Sequence, residues 1–383
     1  MPLPTNNHSM KFETRGIELR AASLEALSNE KLKTIQHLQK HQLHDCVNID
    51  EFLDQAGACV AFRLRDEYKD LWAPNWDTTL LNEHLGIDSR RNEDALDKEI
   101  VIAMLLASIP FVFPTYEELA AALRIRHHIV RAGYLAELNF DTNAAERPED
   151  CWHYDEDAGF LLNEDISIIK ALTKATQPDA THPAYSFSCY RATEYVILLG
   201  IAQELERSNP TLLKALEKRS EKRAIRSGEF HEVFLKEYGS IDEPFPMKYY
   251  VPGDRVWFRN PDDRSSDISG YEGSWVIYLG HNLFTNFWKR NSPFTLETKC
   301  VEVFHWKDGA YTGDDGELHM DESIVELEVA KSLADPMQYA QIINRMMRYR
   351  DPKGVYAEGG CIDTSRESPR WVCPLTGDLL IPD

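Results

Sequence analysis

Hydrophobic positions recur at two different periods along this chain, and the change of period organises it. The stretch SLEALSNEKLKTIQHLQKHQLHD carries Leu24, Leu27, Leu32, Ile35, Leu38 and Leu43 at near-helical spacing, so residues 21 to about 62 read as helices. RLRDEYKDLWAPNWDTTLLNEHLG is amphipathic and broken at Pro74. Residues 1 to about 20 read as disordered. The charged stretch DSRRNEDALDKE, 88–99, reads as a boundary. Beyond it, Thr115 and Glu118 stand in capping-box spacing ahead of Leu119, Leu123, Val130 and Tyr134, which predicts a capped helix. CWHYDEDAGFLL, 151–162, reads as a hairpin turning at its Asp/Glu/Gly cluster, and NEDISIIKALTKA as another capped helix. From Ala192 apolar residues return at helical spacing through Tyr195, Val196, Leu199, Ala202 and Leu205. A charged helix follows from about 210 to 238.

After Pro246 the period becomes two. In YYVPGDRVWFRNP a Pro-Gly turn precedes a strand in which Arg255, Trp257 and Arg259 alternate against Val256 and Phe258. GYEGSWVIYLGHNLFTNFW and TKCVEVFHWKDG read as further strands, DGAYTGDDGELHMDE as a solvated hairpin and MQYAQIINRMMRYR as a helix. The residues from 351 onward are rich in Gly, Pro and Cys and have no period. Helices first and antiparallel strands afterwards predict an α+β fold. Three divisions follow: a helical N-terminal extension over 1–98, a main domain over 99–350 and an irregular tail over 351–383.

Composition narrows the function. The net charge of −21 argues against a nucleic-acid partner, which needs a basic surface. Seven cysteines without a C-x-x-C pair do not make a disulfide scaffold and read as reduced and intracellular, with a Cys361–Cys373 link left open. The longest apolar run, IVIAMLLASIPFVF at 100–113, is too short to span a membrane and is interrupted by Pro110. The polar N-terminus has no signal core, so the cytoplasm is the default location, with export that needs no cleaved signal still open. Calcium-loop spacing, G-x-G-x-x-G and the P-loop are absent.

The stretch AYSFSCYRATEYVILLGIAQEL carries the candidate chemistry. Cys189 falls in the first turn of a helix that Ser188 can cap. Unpaired N–H groups and the dipole there favour an anion, and the thiolate is the reactive form of cysteine. Arg191 adds positive charge. The same position also suits a buried, inert thiol, the usual state of a free cysteine.

In order along the chain stand an aromatic segment running into a cysteine-led helix, a strand GDRVWFRNP opened by a Gly-Asp turn, and a Gly-led strand EGSWVIYLG. With this order the chain resembles the small bacterial protein-glutamine gamma-glutamyltransferases of the spore-coat type. IPFVFPTYEELAAALRIRHHIVRAGY matches that family's first amphipathic helix, and CWHYDEDAGFLL falls at its small hairpin. The resemblance covers roughly residues 100–350. It implies a papain-like core in which the cysteine-led helix packs on an antiparallel sheet. It implies a cysteine that forms a thioester with a glutamine side chain and passes it to a lysine amine or to water. It implies no metal or cofactor, and partners that are proteins with accessible Gln and Lys; it leaves the oligomeric state open.

By position Cys189 matches the nucleophile. Three neighbours depart from the family. Ser188 stands where a glutamate precedes the cysteine, Ser274 where a second glutamate follows the strand glycine, and Asn286 at the histidine position. Glu272, two residues before Ser274 and on the same strand face, is the substitute base. His281 and His305 are the candidate Cys–His partners. Asn286 is the candidate amide that orients a base. These departures keep two alternatives open: a degenerate papain-like binding protein, and a papain-like peptidase or amidase.

Overall fold

The computed structural model describes residues 11–141, 146–224 and 227–381, so the expectation of disorder for the first ten residues lies outside it. The region expected to be helical is mixed. β1 (Ile17–Ala21) precedes α1 (Leu24–Lys40), and β2 (Val47–Asp54) and β3 (Gly57–Leu64) form a hairpin. α1 obeys its leucine spacing: Ser23 accepts from the N–H of Ala26, and Leu27 and Leu38 are buried. After Leu43 the pattern changes, with Val47, Ile49 and Phe52 turned inward and Asn48, Asp50 and Glu51 exposed. Gly57, at φ +113°, lies at the turn of the hairpin.

β4 (Phe111–Phe113) runs parallel to β1 and completes a four-stranded sheet of order β2-β3-β1-β4. The expected division at 98/99 therefore cuts a continuous unit. α2 (Glu93–Leu106), capped by Asn92, runs straight through it, and the charged stretch before it is the start of this helix.

α3 (Tyr116–Leu135) starts at Thr115, whose hydroxyl accepts from the N–H of Glu118. It packs against α4 (Cys189–Ser208), closely enough at Gly200 that a Cβ would lie 2.6 Å from Ile129 Cγ1. The hairpin expected at 151–162 pairs Trp152–Asp155 with Gly159–Leu162. The charged segment from 210 holds helices Pro210–Ser220 and Ser227–Phe234 and then β5 (Leu235–Tyr238).

The second sheet carries the site. It contains β5, β6 (Arg255–Arg259), β7 (Gly273–Gly280), β8 (Leu283–Phe284) and β9 (Arg366–Pro369) in the antiparallel order β8-β7-β6-β9-β5. The alternation in β6 is realised: Val256 and Phe258 are buried in the core, while Arg255 and Arg259 lie over the rings of Trp275 and Trp257. The tail is not irregular. β9 lies between β6 and β5, with Arg366, Glu367 and Ser368 buried.

TKCVEVFHWKDG is not a strand. It forms most of α5 (Leu296–Gly309), packed against α6 (Glu322–Ala334) and α7 (Pro336–Met346). Its inward residues lie on nearly every side, from Leu296 and Lys299 to Val303, His305 and Trp306, so no single apolar stripe marks it as a helix. The fold is α+β, with a cysteine-led helix against an antiparallel sheet.

Candidate active site

Cys189 is the first residue of α4. Ser188 holds an extended conformation (φ −79°, ψ 158°), and its hydroxyl accepts from the N–H of Arg191 at 3.3 Å. The sulfur thus lies where unpaired helix N–H groups converge, a setting that favours a thiolate. Six of the seven cysteines are buried; Cys189 is half-buried. It opens onto a cavity of about 190 Å³ whose walls include Phe140, Tyr271, Ser274, Trp288, Lys299 and Trp306.

The sheet supplies a second donor. Asn260 N–H donates to Glu272 O at 3.1 Å, and Tyr278 N–H donates to Asp254 O at 3.0 Å. Antiparallel pairs alternate between bonded and non-bonded, so the pair Trp257 and Trp275 between them is non-bonded. The Trp275 N–H therefore faces outward from β6. β8 pairs with β7 only at Tyr278 and Gly280, so this stretch of the edge is left to the start of α4. The thiol feels all of this. Burial has the largest effect and holds its pKa above the ordinary thiol value; the backbone N–H groups of Trp275 and Tyr190 and the charges of Lys299 and Arg255 pull the other way.

Both cations are fixed. Lys299 is 3% exposed, 3.2 Å from Glu302 and 4.0 Å over the Phe294 ring. Arg255 lies beneath the site, 4.3 Å over the Tyr190 ring and 4.1 Å over Trp275, and 3.0 Å from Glu367. Neither Lys299 nor Glu302 emerged from the sequence, because the segment that carries them alternates like a strand. Their i, i+3 spacing was the available signal.

The other expected partners are dispersed. Glu272 is exposed, its carboxylate accepts from the N–H of Gly270, and it does not line the cavity. It stands one rung beyond the start of β7, where sharing a face with Ser274 does not bring it to the cavity. His281 lies in the turn at the far end of β7, six residues or about 20 Å along the strand direction from Trp275. Its N–H donates to Glu99 at 2.9 Å, and burial followed by Arg90 lowers its pKa. His305 is buried within α5, 2.7 Å from Asp308 and 2.7 Å from Ser332 Oγ, so both ring nitrogens are engaged away from the cavity. Asn286 does line the cavity with Cys189, but its amide is taken up in its own loop: it donates to Ser292 O at 2.9 Å and accepts from Trp288 N–H at 3.3 Å. That bond pattern positions Trp288 in the wall. Ser274 is 7% exposed on β7 and also lines the cavity.

Among the described residues no group of three or more His, Cys, Asp and Glu side chains is arranged to hold a metal ion. Among them, too, no helix is long and apolar enough to cross a membrane. A Cys361–Cys373 link is not formed; Cys361 lies 3.6 Å from Cys300 as a thiol pair.

A family model of protein-glutamine gamma-glutamyltransferase matches residues 78–365. Among solved structures, the chain is similar to the transglutaminase from Geobacillus stearothermophilus, without its C-terminal extension. The identity is 16% and the TM-score 0.39, over 56% of this chain and 98% of that one. No curated protein matches the chain.

Proposed function

This chain belongs to the protein-glutamine gamma-glutamyltransferase family, whose members act on protein substrates, and on that premise we propose that Cys189 is the nucleophile of a glutamine acyl transfer. The observation that supports it is the setting of Cys189: of seven cysteines it alone is not buried, and it lies at a helix start beside a cavity.

In this mechanism the Cys189 thiolate attacks the carboxamide carbon of a glutamine side chain, and a C–S bond forms. The oxyanion is held by the backbone N–H groups of Tyr190 and Trp275, which already approach the sulfur. Collapse breaks the C–N bond; the leaving nitrogen takes a proton from solvent and departs as ammonia, and a thioester remains. A lysine amine then attacks the thioester carbon, the C–S bond breaks, and the thiolate is restored as the nitrogen loses its proton. Water in place of the amine gives glutamate. The aromatic walls of the cavity limit water around the thioester, which favours the amine.

The test is incubation with a glutamine-containing protein and a labelled primary amine, followed by peptide mass spectrometry, beside a Cys189→Ala control. Label on glutamine that disappears in the control supports transfer. Glutamate without label assigns the thioester to water. Cleaved peptide bonds, or no product in either protein, would overturn the proposal.

A further inference from the structure

Among the described residues that line the cavity of Cys189 there is no histidine, so the activation of the thiol needs another source. One buried charge in the cavity has no other evident task. Lys299 is 3% exposed on α5 and lines the cavity that Cys189 opens onto. A lysine this deep is uncommon unless paired. Glu302, one turn on, binds its ammonium at 3.2 and 3.3 Å, and the faces of Phe294 at 4.0 Å and Trp306 at 5.8 Å sit against it. The carboxylate and the two rings stabilise the charged form and restrict where it points. A peripheral lysine would reach into water; this one is held inside the wall, on the cavity side of its helix.

We propose that Lys299 is a positioning residue for the acyl transfer, acting through Cys189: its buried ammonium is the counter-ion that offsets the burial of the sulfur and eases its ionisation, and Glu302 holds that ammonium in place. The inference rests on the reading of Cys189 as the nucleophile. An ammonium takes no proton from the thiol. It lowers the free energy of the sulfur anion, so the thiol gives its proton to solvent more readily. After the C–S bond forms, the same charge faces the tetrahedral oxyanion. A fixed field takes the place of an acid–base couple, which is how the site can work without a histidine beside Cys189.

The experiment measures the rate of Cys189 alkylation by iodoacetamide against pH, read by peptide mass spectrometry on the full chain, with amine incorporation assayed in parallel. In Lys299→Met the alkylation profile moves to higher pH by about one unit or more, an alkylation rate about tenfold lower at pH 7. Lys299→Arg keeps most of the wild-type profile, and Glu302→Gln lies between. Superimposable profiles for wild type, Lys299→Met and Glu302→Gln overturn the proposal. If Lys299→Met does not fold, judged by far-UV circular dichroism, the comparison of Glu302→Gln and Lys299→Arg with wild type decides it alone. A Lys299-dependent profile without amine incorporation by the wild type would sink the transferase reading and leave of this one only the control of Cys189 ionisation by Lys299.

Discussion

Glu367 neutralises a guanidinium that no water reaches. The Arg255 side chain is fully buried, 3.0 Å from Glu367 Oε2, and its Nε and Nη2 make no hydrogen bond. Glu367 belongs to β9 and Arg255 to β6, so the pair joins the last strand of the sheet to its middle. In Glu367→Leu the guanidinium stays in place without its counter-charge. Removing one partner of a buried pair costs about 3–5 kcal/mol, against a total stability for a typical domain of about 5–15 kcal/mol. The double variant Arg255→Met/Glu367→Leu removes both charges and leaves only the part-exposed His231, 2.6 Å from Glu367, without its partner, so it should recover about 2 kcal/mol or more of the single variant's loss. Urea unfolding followed by tryptophan fluorescence measures both, since Trp257 and Trp275 lie in the same sheet. A single variant that loses less than about 1 kcal/mol, or a double variant no better than the single, would refute the reasoning.

Native alkylation should label Cys189 alone, and all seven cysteines should react in guanidinium; early labelling of a second cysteine in the native protein contradicts the burial described above. Burial raises the pKa of the Glu99 carboxyl, so its contribution to stability is complete below the ordinary glutamate value of about 4.3 and declines as pH rises through the raised one. The urea midpoint of wild type should therefore fall more steeply with rising pH than that of Glu99→Gln, and parallel curves would contradict this. Gly280 and Gly316 share a left-handed backbone at φ +84° and +82°, but a Cβ at Gly280 would lie 2.6 Å from Glu99 Oε2 while Gly316 faces open space. Alanine should cost roughly 1–2 kcal/mol at Gly316 and clearly more at Gly280, as read by thermal unfolding; equal losses would show that the contact relaxes freely.

What the chain discloses before folding depends on whether a residue's environment is local. The cysteine-led helix and the alternating strand 255–259 follow from their own periods, and the hairpins at 151–162 and around 308–322 from their turn residues. α5 was misread because it is enclosed by β6, α6 and α7, and burial on all sides erases the stripe that distinguishes a helix. That hides Lys299, whose neighbours Glu302 and Trp306 are brought to it by the helix itself and Phe294 by the residues just before it. β9 offered no signal: a strand spelled Arg-Glu-Ser-Pro is held by ion pairs and neighbours far away in the chain. The choice of Glu272 and the histidines as partners failed for a related reason. Strand parity fixes a face but not a distance, and His281 shares a strand with Trp275 while lying at its opposite end.

The place of β9 in its sheet governs when the protein becomes whole. β5 and β6 are separated by a gap that only residues 366–369 fill, more than a hundred positions after β6 begins. While the ribosome is still adding those residues, Arg255 has no Glu367, and the sheet behind Cys189 lacks the strand that joins β5 to β6. A chain emerging at about 5–20 residues per second spends several seconds in that state. On the proposal that Cys189 is a nucleophile, the sheet behind it is thereby left unfinished through the interval in which its own nascent chain, and every neighbouring one on the same messenger, lies nearest to it.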